Sequence, residues 1–74
     1  MGTIFLELAE KWPAPFVART EVEKFSNGLI KEKYIANLDS AGKGPEGRFR
    51  VGRKVCYPVK NLVAWLQSRS QEAA

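Results

Sequence analysis

Seventy-four residues allow one domain at most, and a chain this short hides only roughly 60% of its unfolded surface on folding. Hydrophobic residues make up 45% of it, including two Trp, two Tyr and four Phe, enough for one core and too many for a disordered chain. One Cys and no His exclude an internal disulfide, leave no ligand set for a zinc site and remove the commonest general base.

No apolar run approaches the roughly 20 residues of a membrane span. Ile4-Phe5-Leu6, with no basic segment before it, is too short for a signal-peptide core, so the cytoplasm is the expected compartment. The net charge of +4 is unevenly distributed. Residues 1–30 balance to −1 and residues 61–74 to zero. Residues 31–60 carry Lys31, Lys33, Lys43, Arg48, Arg50, Arg53, Lys54 and Lys60 against Glu32, Asp39 and Glu46, a balance of +5. This segregation points to a polyanionic partner more than a scattered, merely solvated set of charges would.

In chain order, Phe5, Leu8, Ala9 and Trp12 recur at helical spacing over residues 4–12, with Thr3 as a cap. Pro13 and Pro15 end that helix and make Trp12-Pro13-Ala14-Pro15 an extended connector. Thr20 and Glu23 have capping-box spacing for a short helix to Phe25 or Ser26, with Val22 and Phe25 inward. Asn27-Gly28 ends it, because both tolerate positive φ, and Leu29 and Ile30 follow as apolar anchors. A second helix is expected over 32–41, with Ile35 and Leu38 inward and Gly42 as its stop. Arg48 to Val51 and Val55 to Tyr57 alternate around Gly52-Arg53, which predicts a two-stranded hairpin over 48–57. Gly-X suits a two-residue loop, but the apolar pattern favours a three-residue loop, pairing Val51 with Val55 and Phe49 with Tyr57. That register sends Arg48, Arg50 and Cys56 to the outer face. Pro58 opens a last helix, to about Arg69, with Val59, Leu62, Val63, Leu66 and Trp65 on its apolar stripe, and 70–74 reads as a frayed tail. The expected core is Val22, Phe25, Leu29, Ile35, Leu38, Phe49, Val51, Val55, Leu62, Trp65 and Leu66.

The resulting order is helix, tight turn, helix, basic hairpin, helix, which suits a helix-turn-helix unit in an α+β, mostly helical fold. The second helix is expected to enter the major groove, which is wide enough for a helix and displays a distinct pattern for each base pair. Lys31, Lys33, Tyr34 and Asn37 are its outer candidates; Lys43, Arg48, Arg50, Arg53 and Lys54, in the loop and hairpin, suit backbone phosphate.

The stretch from Phe16 to Ser68 resembles the excisionase-like branch of the MerR-type winged helix-turn-helix proteins. The segments that carry the likeness are Arg19-Thr20-Glu21-Val22-Glu23, Asn27-Gly28-Leu29-Ile30, Ala36-Asn37-Leu38-Asp39-Ser40-Ala41-Gly42-Lys43-Gly44-Pro45, Gly52-Arg53-Lys54-Val55-Cys56-Tyr57-Pro58 and Asn61-Leu62-Val63-Ala64-Trp65-Leu66. The resemblance implies a winged helix-turn-helix domain over 16–69, preceded by an amino-terminal helix and connector over 1–15 to which it assigns no role. It further implies a double-stranded DNA-binding protein without cofactor or catalytic residues. Two roles are open: a recombination directionality factor that bends DNA for an integrase, or a prophage-type transcriptional regulator, with further copies of the chain on adjacent sites. Such families commonly begin the recognition helix with Ser or Thr. Here Lys31 stands there, and it can neither cap the first amides nor favour the helix dipole.

Simpler roles compete at several positions. Trp12 and Trp65 read as core, Glu21 and Glu23 as first-turn partners of the helix dipole, and Cys56 as an inert strand residue. Tyr34 suits either core packing or DNA contact. The glycines of 42–47 lack the Lys-Ser or Lys-Thr pair of a phosphate-cradling loop. A protein-interaction adaptor that docks its basic face on an acidic partner is the rival outside nucleic-acid binding. Single-stranded RNA binding would need Phe49 and Tyr57 open for stacking, where burial is expected.

Overall fold

The computed structural model describes residues 3–69. The elements are α1 (Thr3–Lys11), β1 (Phe16–Ala18), a 3₁₀ turn (Arg19–Glu21), α2 (Val22–Phe25), α3 (Glu32–Ser40), β2 (Phe49–Val51), β3 (Lys54–Pro58) and α4 (Val59–Arg69). This is a small α+β fold, about half helical, with an antiparallel sheet in the order β1-β3-β2. The expected tail over 70–74 lies outside the described residues. Among the described residues no helix is long and apolar enough to cross a membrane.

The apolar stripe of α1 packs as its spacing predicts: Phe5, Leu8, Ala9 and Trp12 lie against the core. Thr3, expected just before the helix, is its first described residue. Pro13 and Pro15 stop α1, and the connector is tied at both ends. Trp12 Nε1 donates to Phe16 O at 2.9 Å, and Val59 N donates to Pro15 O at 2.9 Å. The Trp12 ring meets Phe25 edge-on, centroids 5.4 Å apart.

The capping box at Thr20 and Glu23 does not form. The chain enters α2 through the 3₁₀ turn, so Thr20 lies inside that turn; Glu21 is the N-cap and makes no side-chain cap bond. Val22 and Phe25 are buried as expected. The turn after α2 is built by Ser26, whose buried hydroxyl donates to Val22 O (2.8 Å) and accepts from Ile30 N (2.9 Å). Asn27 and Gly28 take φ of 58° and 86°, the left-handed region that Asn tolerates and that Gly, lacking a Cβ, enters freely. Only one of the two anchors goes inward. The bond at Ile30 N fixes that residue in the core, and Leu29, expected there, is 68% exposed.

The expected two-stranded hairpin belongs to a three-stranded sheet. Phe16–Ala18 is too short to show a period, yet it pairs with β3 and makes that strand the middle one. The three-residue loop is also overturned. Phe49 pairs with Cys56, Arg50 with Val55 and Val51 with Lys54, around a two-residue Gly52-Arg53 loop. Gly52 has φ of 62° while Arg53 stays at ordinary φ, the signature of a type II′ turn, whose twist matches the strands. Phe49 (40%) and Val51 (64%) are consequently exposed rather than in the core. The core consists of Val17, Val22, Phe25, Ile30, Ile35, Tyr57 and the α4 stripe Val59, Leu62, Val63, Trp65 and Leu66, with Leu38 and Val55 packed at its margin.

Candidate nucleic-acid interface

α3 begins where Lys31 predicts difficulty. Lys31 is the N-cap, in extended backbone, with no side-chain cap bond. Its Nζ instead donates to Glu23 Oε2 at 3.1 Å, and Glu32 supplies the acidic first turn that the dipole favours. Ile35 is fully buried and Asp39, one turn on, is buried beside it. The opposite side of the helix is therefore free, and Lys33 and Asn37, one turn apart, are exposed on it.

The register decides where the hairpin arginines go. Arg50 lies opposite Val55, on the side of the sheet that carries Tyr57 and Val17. Arg48, two residues earlier, shares that side. Both thus face α3, not the outer face expected from the longer loop. With Ala36, Asn37 and Ser40 of α3 they line one groove, floored by Arg19 and Asp39.

A buried polar cluster fixes this floor. Arg19 Nη2 donates to Asp39 Oδ2 (2.6 Å), Arg19 Nε donates to Tyr57 Oη (3.0 Å), and Tyr57 Oη donates to Asp39 Oδ2 (2.5 Å). Arg48 Nη1 stands 3.7 Å from Asp39 Oδ1, which is buried without a hydrogen-bond partner. Burial opposes the Arg19 charge, but its bonds to Tyr57 and Asp39 outweigh this and raise its pKa above the ordinary value. Burial pushes the Tyr57 hydroxyl up to about 12, and its bond to Asp39 adds to the shift.

The loop between α3 and β2 is held against both neighbours. A Cβ on Gly44 would lie 1.8 Å from Asp39 Oδ1, so no larger residue fits there unless Asp39 moves. Trp65 Nε1 donates to Lys43 O (2.9 Å) and Asn61 Nδ2 to Glu46 O (2.9 Å). The Lys43 backbone is thereby anchored on α4, and the residue is exposed.

The remaining candidates lie elsewhere. Arg53 and Lys54 are exposed at the hairpin tip, around a small depression shared with Arg19, Thr20 and Glu32. Lys31 and Tyr34 line a different depression, with Phe5, Leu29, Leu66 and Arg69. There Tyr34 Oη accepts from Arg69 Nη2 at 2.6 Å. Tyr34 is thus a surface residue joined to α4, on a flank of α3 away from the groove. Arg19, Asp39 and Tyr57 were not among the sequence candidates for the site. One signal could have found them: an Asp four residues after Ile35, on the apolar side of its helix, needs a buried cationic partner.

Among the described residues no group of three or more His, Cys, Asp or Glu is placed to hold a metal, and Cys56 is buried with its thiol free. No family model matches the chain, and no curated protein or solved structure is found to be similar to it.

Proposed function

We propose that the chain is a duplex-DNA-binding protein of the winged helix-turn-helix kind that catalyses no reaction itself. One observation carries the reading: Asn37 on α3, Arg48 just before β2 and Arg50 within it converge on a single groove with Arg19 at its floor. Lys33 and Asn37 read bases in the major groove, Asn being suited to adenine and Lys to guanine or phosphate. Arg48, Arg50, Arg53 and Lys54 hold backbone phosphate. The sequence resemblance supports an excisionase-like role, in which several copies bend DNA for an integrase, or a prophage-type regulatory one; the mechanism of binding is common to both.

Selection of bound sequences from random duplexes, followed by titrations at several salt concentrations, tests the reading. Binding should weaken steeply with salt. Asn37→Ala should reduce discrimination at one or two adjacent base pairs by roughly 1–3 kcal/mol and leave scrambled duplexes unaffected. Replacing Arg53 and Lys54 together by Ala should weaken all duplexes alike. Absence of salt-dependent duplex binding would replace this reading with that of an adaptor docking an acidic protein.

A further inference from the structure

The cluster at the groove floor closes only one edge of the Arg19 guanidinium. Nε and Nη2, which form that edge, donate to Tyr57 Oη and Asp39 Oδ2. The other edge, Nη1 with the second hydrogen of Nη2, takes part in neither bond. The Arg19 side chain keeps 25% of its surface accessible, whereas that of Asp39 keeps 4%. Arg48 and Arg50 line the same groove.

We propose that Arg19 is a backbone-phosphate anchor of the interface and that Asp39, with Tyr57, is its positioning residue. This rests on the duplex-binding reading above and adds a contact to it. Three guanidinium groups against one carboxylate leave the groove positive. The free edge of Arg19 offers two N–H groups in the fork that phosphate oxygens accept bidentately. Arg19 is recessed, so it meets groups that protrude from a duplex; phosphates protrude, while base edges lie within the grooves. Its orientation is set before binding, which removes an ordering cost that a free arginine would meet on contact. Asp39, buried and turned towards Arg19, exerts little repulsion on an incoming phosphate, and its second oxygen draws Arg48 over the groove.

The test is a set of duplex titrations across salt concentrations with the full chain, its Arg19→Ala, Arg19→Lys and Tyr57→Phe variants, and thermal melts of each. Arg19→Ala should weaken selected and scrambled duplexes by similar factors and lower the slope of log affinity against log salt by about one. Arg19→Lys should keep the slope but lose roughly tenfold in affinity, because an ammonium has no fork. Tyr57→Phe should weaken binding severalfold at unchanged slope. A folded Arg19→Ala chain with the parent slope and affinity would make the cluster purely structural and overturn the proposal. A loss confined to selected duplexes would make Arg19 a base reader and overturn the phosphate assignment. Should Arg19→Ala not fold, the Arg19 side-chain Nε–H resonance of the parent decides: it must shift on duplex titration, and an unmoved signal refutes the contact. No duplex binding by the parent chain would instead sink the broader reading, and this inference with it.

Discussion

The two sides of the sheet are built from alternate residues of the same strands, yet they do opposite things. The side facing α3 carries Arg48 and Arg50 beyond the edge of the core, with Val55, Tyr57 and Val17 packed behind them. The outer side carries Phe16, Phe49 and Val51, all exposed, and Cys56, which is buried. Phe16 and Phe49 come from the two edge strands, and their rings meet edge-on with centroids 6.0 Å apart. The pair therefore spans the middle strand on the side to which Cys56 points. Burial alone does not identify the core side: Cys56 on the outer side is buried, while Arg48 and Arg50 on the inner side stay exposed.

The hardest way to break the contrast is to remove the charge that anchors the inner side. Asp39→Ala leaves Arg19 and Tyr57 without their shared acceptor, and should destabilise the fold by about 2–4 kcal/mol in urea melts, less than for a wholly buried pair because Arg19 is partly solvated. An effect below about 1 kcal/mol would mean that the cluster is loosely held.

The next effect is a dependence on pH. The folded Tyr57 holds its proton to about 12, against an ordinary value of 10.0. The unfolded chain loses that proton first, so stability should fall as pH rises from about 10 to about 12, by on the order of 2 kcal/mol. Tyr57→Phe should flatten the fall. In an ultraviolet titration, the same variant should abolish the step near 12.

On the outer side, a double-mutant cycle on Phe16→Ala and Phe49→Ala should return a coupling of about 0.5–1.5 kcal/mol. The double variant should also make Cys56, buried in the parent chain, react faster with thiol reagents than it does there. Unchanged labelling would show that the rings do not shield it.

The smallest effect separates the two hairpin registers. Val51→Thr should change stability by no more than about 0.5 kcal/mol, as for a surface position. A loss several times larger would restore the three-residue loop and put Val51 back in the core.

What the sequence determined by itself is local. Prolines stop α1 because they lack the amide hydrogen that a helix needs, and Asn27-Gly28 turns the chain because both residues accept positive φ. The spacing of Val59, Leu62, Val63 and Leu66 specifies the buried stripe of α4, and Gly52-Arg53 already carried the correct loop signal. The apolar pattern overrode that signal wrongly, because it assumes that every large apolar side chain on a strand seeks the core. The tertiary structure decided what depends on distant partners. A third strand, β1, made β3 the middle strand and gave Phe49 a ring to lean on at the surface. The meeting of Arg19, Asp39 and Tyr57 joins residues separated by up to 38 positions, and no periodicity encodes it. Local spacing sets which side chains share a face, but only the packed chain sets what that face meets, and with it the arginines that face α3.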